Sequence, residues 1–235
     1  MGNMLTTASA GAAGWALARV FGVVARLRNS RALHPTGDTV GGELHIVGAY
    51  PKTGVPALDQ PGDQPVLVRT SRAIGLPEGT PDILGIAVRW PAKGADGGPA
   101  DLMFASTGSG AVTRYLLGVR TTVHSGPFTT LLPMHGPRGS LLLALFPVDS
   151  PIPGRELFDL RYSGLSGRWV SLGSLSIDPQ ELLHDDRRVR FDTIAHPLAG
   201  LPHYDWVARL RSPSYRQSQD AFPPEVSGDA NRIQQ

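Results

Sequence analysis

Cysteine is absent from the 235 residues, which excludes disulfides, thiolate metal sites and a cysteine nucleophile. The absence leaves the compartment open, because oxidising and reducing locations both tolerate a cysteine-free chain. Lysine is nearly absent too. Lys52 and Lys93 are the only two among 22 basic residues, and an overall compositional bias toward arginine accounts for this more simply than forked ion pairing does. Charge of one sign is lacking: 22 basic against 20 acidic residues give a formal net charge of +2, with no dense basic stripe. A dedicated electrostatic binder of nucleic acid is thereby excluded. Long apolar runs are missing as well. The most apolar segment, Thr7 to Leu27, is interrupted by Arg19 near its middle and cannot span a membrane.

That same segment spaces Trp15, Val20, Phe21, Val24 and Leu27 at near-helical intervals, with Arg19, Arg26 and Arg28 among them. It reads as an amphipathic helix. Its basic residues lie within and after the apolar part, whereas a signal peptide carries them before it. The expectation is a cytoplasmic protein with no transmembrane segment, peripheral membrane contact by this helix being left open.

Glycine and proline are abundant, at 28 and 21 residues, which is heavy for a helical bundle and natural for short strands joined by turns. Candidate strands fall at Val40–Val47, Pro65–Thr70, Ile83–Trp90, Asp101–Ala105, Thr129–Met134, Ser140–Val148, Glu156–Ser163, Arg168–Ile177 and Arg190–Thr193. Their spacing predicts an α+β domain built on a closed antiparallel β-barrel of about eight strands, with flanking helices. Ser109–Gly118 and the stretch from His203 to Gln219 carry helical periodicity, the second broken at Pro213. The predicted organisation is a helix in 1–30, a barrel domain with a C-terminal helix in 31–219, and a polar disordered tail in 220–235.

No phosphate-binding glycine loop, dinucleotide fingerprint, nucleophile elbow or paired-histidine zinc motif is present. His184-Asp185 has the form of a metal phosphohydrolase pair, but it stands beside Asp186, Arg187 and Arg188 without further ligands and reads as a solvated turn. His45, His124, His135, His196 and His203 follow no metal-ligand spacing.

Three segments are informative as a set. They are Arg31-Ala-Leu-His34-Pro-Thr-Gly37, Val68-Arg69-Thr-Ser71 followed by Ile83-Leu-Gly85-Ile-Ala87 and Asp101-Leu-Met103, and Phe191-Asp192 followed by Arg211 and Tyr215. In order and spacing this set resembles the haem-dependent catalase superfamily, and the chain's length resembles its small catalase-like branch. The matched stretches cover roughly residues 31–107 and 190–219. The most specific is the Arg-x-x-x-Tyr pattern of Arg211 and Tyr215.

The resemblance implies one haem b, with Tyr215 as its iron ligand and Arg31, Arg69 and Arg211 as residues that hold it. It implies His34 as catalytic acid and base and Ser71 as the hydroxyl that orients the imidazole. Elementary chemistry agrees with the proximal part: four residues apart on a helix, Arg211 and Tyr215 share a face, and a guanidinium beside a phenol favours the phenolate. The family's peroxide-binding asparagine has no counterpart in Phe104-Ala105-Ser106-Thr107-Gly108, where Ser106 or Thr107 would be the remaining donors. This departure points from hydrogen peroxide dismutation toward peroxidase or organic and fatty-acid hydroperoxidase chemistry on a small-molecule hydroperoxide.

Other readings stay open. Arg31, Arg69 and Arg211 could pair surface carboxylates, Tyr215 could only pack, and His34 could bridge backbone groups ahead of Pro35. The protein as a whole could be a non-catalytic haem carrier or sensor. It could also be a haemless barrel that binds lipid or a protein partner.

Overall fold

Alternation builds the wall of this molecule, of which a computed structural model describes residues 36–73, 75, 77, 79–182 and 189–207. In strand β2 (Gly62–Arg72), Val66 and Val68 are buried while their neighbours are partly or fully exposed. In β3 (Asp82–Trp90), Leu84, Ile86, Val88 and Trp90 all join the hydrophobic core. One face of each strand therefore packs inward, as a period of two requires.

The remaining strands are β1 (Thr36–Ile46), β4 (Ala100–Ser106), β5 (Val119–Arg120), β6 (Phe128–Thr129), β7 (Met134–Gly136), β8 (Gly139–Val148), β9 (Glu156–Ser163) and β10 (Val170–Leu182). They pair antiparallel in the order β2-β1-β10-β9-β8-β6-β4-β3, and β3 pairs back onto β2. This is a closed antiparallel barrel of eight strands, as the sequence predicts; β5 and β7 are additions to β3 and β8. Its interior is filled by Leu44, Val68, Ile86, Phe128, Leu145 and Phe158 among others, with Phe128 and Phe158 meeting edge to face at 6.2 Å. Each such side chain, once buried, contributes about 1.5–3 kcal/mol.

Glycine is required where the barrel closes. At Gly173 the backbone has φ +148° within a register shift between β9 and β10, and a Cβ there would lie 1.8 Å from the His45 carbonyl oxygen. Residue 173 can therefore only be glycine if β1 and β10 are to meet.

Three expectations need correction. Ser109–Gly118 is no α-helix: only Thr113–Tyr115 forms a 3-10 turn, inside an excursion that leaves β4 at Thr107 and returns at Pro127. Gly108, Gly110 and Gly118 break its helical periodicity. Thr129–Met134 splits into β6 and β7, since Leu131 takes φ 60° and interrupts the ladder. Arg190–Thr193 is no strand but a turn capped by Asp192, whose Oδ1 accepts hydrogen bonds from the Ile194 and Ala195 amides.

Helix is scarce among the described residues. There is α1 (Pro56–Asp59), the 3-10 turns at Thr113–Tyr115 and Val123–Ser125, and a helical turn at 205–207. None is long and apolar enough to cross a membrane. The helix expected in 1–30, most of that expected in 203–219, and His184-Asp185 lie outside the described residues.

Candidate functional site

Because Val68, Ile86, Val88, Leu102 and Phe104 point into the core, the residues between them form the barrel's outer face. Their pairing fixes three adjoining rungs. The first runs Gly37, Ser71, Gly85, Ala105 and Thr129 across β1, β2, β3, β4 and β6. The second runs Thr39, Arg69, Ala87 and Met103, and the third Gly41, Leu67, Arg89 and Asp101. With strands about 4.8 Å apart, a rung across four of them spans roughly 14 Å.

The upper two rungs are a smooth surface. Gly85, Ala87 and Ala105 offer nothing larger than a methyl group, Met103 adds a flexible thioether, and Arg69 supplies a half-buried cation at one side. Thr39 and Ala87 are buried. The Ser71 hydroxyl reaches the Gly85 carbonyl oxygen at 3.5 Å, the outer limit of a hydrogen bond.

The third rung is an anchor. Arg89 donates from Nε and Nη2 to the two oxygens of Asp101, at 2.8 and 2.7 Å. This bond to a fully buried carboxylate raises the Arg89 pKa beyond its ordinary value. Asp101 Oδ2 also accepts the Asp192 amide at 2.8 Å, and the Arg89 guanidinium lies 5.2 Å from the centre of the Phe191 ring. The pair Phe191-Asp192, singled out in the sequence, is thus fastened to the strand that carries Asp101-Leu-Met103.

From there the chain crosses the outer face. The Asp101 amide donates to the His196 carbonyl, Gly94 bridges Leu198, and the His135 amide donates to the Pro202 carbonyl. At Val207, fully buried beside Leu132, the described residues end. A cavity of about 10 Å³, the space of one water, is lined there by Asp101, Met103, Thr130, Met134, Thr193 and His203.

Of the residues predicted for the site, Arg69 and Ser71 lie two apart on the outer face of β2. Arg31, His34, Arg211 and Tyr215 lie outside the described residues. The two hydroxyls expected to replace the missing amide are otherwise engaged. Ser106 Oγ donates to the Gly118 carbonyl and accepts the Leu84 amide, and Thr107 Oγ1 bonds the Gly108 carbonyl and the Thr129 hydroxyl. Phe104 belongs to the barrel interior, and Leu116 packs near Leu132 and Val207.

A residue that sequence reasoning missed is Arg114. Almost wholly buried and, among the described residues, without a carboxylate partner, it donates to the Ser109, Gly110, Gly164 and Gly167 carbonyls and to the Ser163 hydroxyl. Its guanidinium also lies 4.5 Å from the centre of the Trp169 ring. No sequence signal marks it, since four of its five acceptors are backbone carbonyls.

No family model and no curated protein matches the chain. Solved structures do. A bacterial catalase aligns with a TM-score of 0.58 and 11% identity, over 83% of this chain and 59% of its own. A fungal catalase gives 0.59 and 10%, over 85% and 61%. Catalase A from Saccharomyces cerevisiae gives 0.61 and 8%, over 85% and 62%. The chain spans about three fifths of the length of these catalases. Eight strands closed in this order, together with that likeness, make the fold of this chain a catalase-like barrel.

Proposed function

We propose that this protein binds haem b against the outer face of its barrel and cleaves hydroperoxides. The observation that carries the reading is the pair of rungs in which Ser71 and Arg69 adjoin Gly85, Ala87, Met103 and Ala105 on a catalase-like barrel. A flat, mostly apolar ring with acidic edges suits that surface: the small residues admit its face, and Arg69 offers a charge-assisted partner for a propionate.

Arg31 and Arg211 would hold the group with Arg69. Tyr215 would ligate the iron through its phenolate oxygen, a state that the guanidinium of Arg211, four residues before it, would stabilise. The haem, when bound, supplies a ferric centre able to take electron density from a peroxide oxygen. His34 would take the proton from the attacking oxygen of the hydroperoxide and return it to the departing one, which directs heterolysis of the O–O bond. Ser71 would fix the tautomer of that imidazole.

The substrate follows from what the rung beside Ser71 lacks. Ala105 has no donor, the Ser106 hydroxyl is committed to the Gly118 carbonyl and the Leu84 amide, and the Thr107 hydroxyl to the Gly108 carbonyl and the Thr129 hydroxyl. A small peroxide would find nothing to hold its second oxygen, so organic hydroperoxides, positioned by their own apolar body, are favoured over hydrogen peroxide.

The test is an absorption spectrum of the purified protein before and after haemin, with Tyr215→Phe alongside. A ferric Soret band that shifts or disappears in the variant, and hydroperoxide turnover lost in His34→Ala with haem retained, are the expected results. Failure of the wild type to take up haemin overturns the proposal.

A further inference from the structure

The excursion between β4 and β6 and the turn between β9 and β10 meet beside the first rung, whose Thr129 hydroxyl donates to the Arg114 carbonyl at 2.8 Å. Arg114 joins them, with acceptors at Ser109 and Gly110 on one side and Ser163, Gly164 and Gly167 on the other. Two aromatic side chains add cross-links: Trp169 Nε1 donates to the Ser109 carbonyl at 2.8 Å, and the Tyr115 hydroxyl donates to the Leu165 carbonyl. Such double fastening makes one rigid platform out of two surface loops.

What the platform presents to solvent is apolar. Val112 is 52% exposed, Leu165 51%, and Val119, farther along the excursion, 62%. Tyr115 and Trp169 lie half buried beneath, each with a polar group directed to backbone. The charge is one-sided. Residues 102–148 contain no aspartate or glutamate, and neither do residues 160–177. Arg168 is exposed in the turn, and Arg120, part-buried, lies along the excursion with its Nη2 donating to the Thr107 carbonyl. Of the carboxylates that come near, Asp159 is held by Arg161 and Ser171; Asp82, opposite Arg120, is buried beside Arg72; and Glu156 lies 3.9 Å from the His124 imidazole.

Exposed aliphatic tips, amphipathic aromatics below them and an exposed arginine, on two segments that carry no acidic residue, are what an anionic lipid surface recognises. The geometry points to this platform as a site of peripheral docking on anionic bilayers, with Val112 and Leu165 entering the interface and Arg168 facing the headgroups. The clamp at Arg114 holds the tips in place before contact, so little ordering remains to oppose binding. This docking is independent of haem and of the residues assigned to hydroperoxide cleavage.

Co-sedimentation of the full chain with vesicles tests it, comparing phosphatidylcholine alone with phosphatidylcholine containing phosphatidylglycerol. Binding is expected only to the anionic vesicles, weakening with salt. The double variant Val112→Ser/Leu165→Ser should bind about tenfold more weakly or less, and Arg168→Gln should lower binding to anionic vesicles. Both variants should keep the wild-type melting temperature, because the three side chains are exposed. Absence of binding by the wild type overturns the inference. So does binding that is unchanged in the double variant, which would assign it to another part of the chain such as the segment before residue 36. A wild type that self-associates and a variant that is monomeric, with neither binding vesicles, would identify a second copy as the occupant and equally overturn it.

Discussion

Arg89 and Asp101, opposite one another on β3 and β4, form a two-pronged ion pair on the outside of the barrel, and the carboxylate is fully buried. Its position explains its energetic weight. Asp101 receives two guanidinium bonds and the Asp192 amide, so it holds both a neighbouring strand and the start of the 189–207 segment. Asp101→Asn keeps the shape but removes the charge and one acceptor oxygen, leaving Arg89 without its counter-ion but still bonded to the Arg190 carbonyl. A loss of about 2–4 kcal/mol is expected. Chemical denaturation of the variant checks this, and proteolysis should cut first near residue 190. A variant as stable as the wild type would remove the anchoring role.

Arg114 makes a sharper case, because it is buried with no counter-ion among the described residues. Burial lowers its pKa from the ordinary arginine value, while the neighbouring Tyr115 acts the other way. The charge is tolerated because five acceptors surround it. Arg114→Met fits the apolar part of the site but leaves those acceptors unmet, and roughly 3 kcal/mol of stability should be lost. Arg114→Lys recovers little, since an ammonium cannot reach in two directions from one plane. Thermal melts of both variants test the claim.

The barrel was legible in the sequence because inward and outward residues alternate with a period of two along β2 and β9, and because Gly and Pro punctuate the turns. The loops were not. The stretch from Ser109 to Gly118 has apolar residues at helical spacing, yet what shapes it is a set of bonds from Arg114 to carbonyls some fifty residues away. Backbone acceptors leave no trace in residue identity. For the same reason Ser106 looked like a free donor, although its hydroxyl bridges Leu84 and Gly118. By contrast Arg69 and Ser71 could be placed on one face from spacing alone, since residues two apart in a strand point the same way.

Asp59 predicts the acid limit of the loop that joins β1 to β2. Burial pushes its carboxyl up, but the Thr53 amide and hydroxyl and the Gly54 amide, each at 2.8 Å, together with Lys52, outweigh it and hold the pKa below the ordinary 3.8. A carboxyl depressed in the folded state contributes stability that is full above 3.8 and lost as pH falls below it through the folded value. Asp59→Asn should therefore be less stable than the wild type near neutral pH, and the gap should close toward about pH 2. Urea titrations of both proteins at the two pH values measure it; a gap that persists in acid would contradict the assignment.

Gly173 tests the closure of the barrel. A methyl group there would sit 1.8 Å from the His45 carbonyl oxygen, so β1 and β10 could meet only after the bulge shifted. Neither strand can slip by one residue without turning its core side chains, Leu44 and Leu175 among them, to the outside. Gly173→Ala should destabilise by more than about 3 kcal/mol, whereas Gly62→Ala, which meets nothing, should be nearly neutral. The contrast between the two melting curves is the readout, and it separates local crowding from a general intolerance of alanine.

The absent amide offers a test of gain rather than loss. Ala105 stands in the rung of Ser71 and Gly85, half exposed, with Gly85 as its direct neighbour. An asparagine at 105 meets no large side chain on that neighbour, and its amide would project from the outer face beside the Ser71 hydroxyl. One preorganised donor of this kind is worth about 100-fold where evolution has placed it. An engineered one, free to rotate, should recover about tenfold. Haem-loaded Ala105→Asn should therefore consume hydrogen peroxide faster than the wild type by that factor, with organic hydroperoxide turnover changed much less and the Soret spectrum unaltered. Stopped-flow measurement with both substrates decides the matter. Equal acceleration of the two would show that the rung beside Ser71 does not discriminate between them. No acceleration, in a protein that binds haem normally, would mean that the reacting oxygens lie elsewhere than over Ala105.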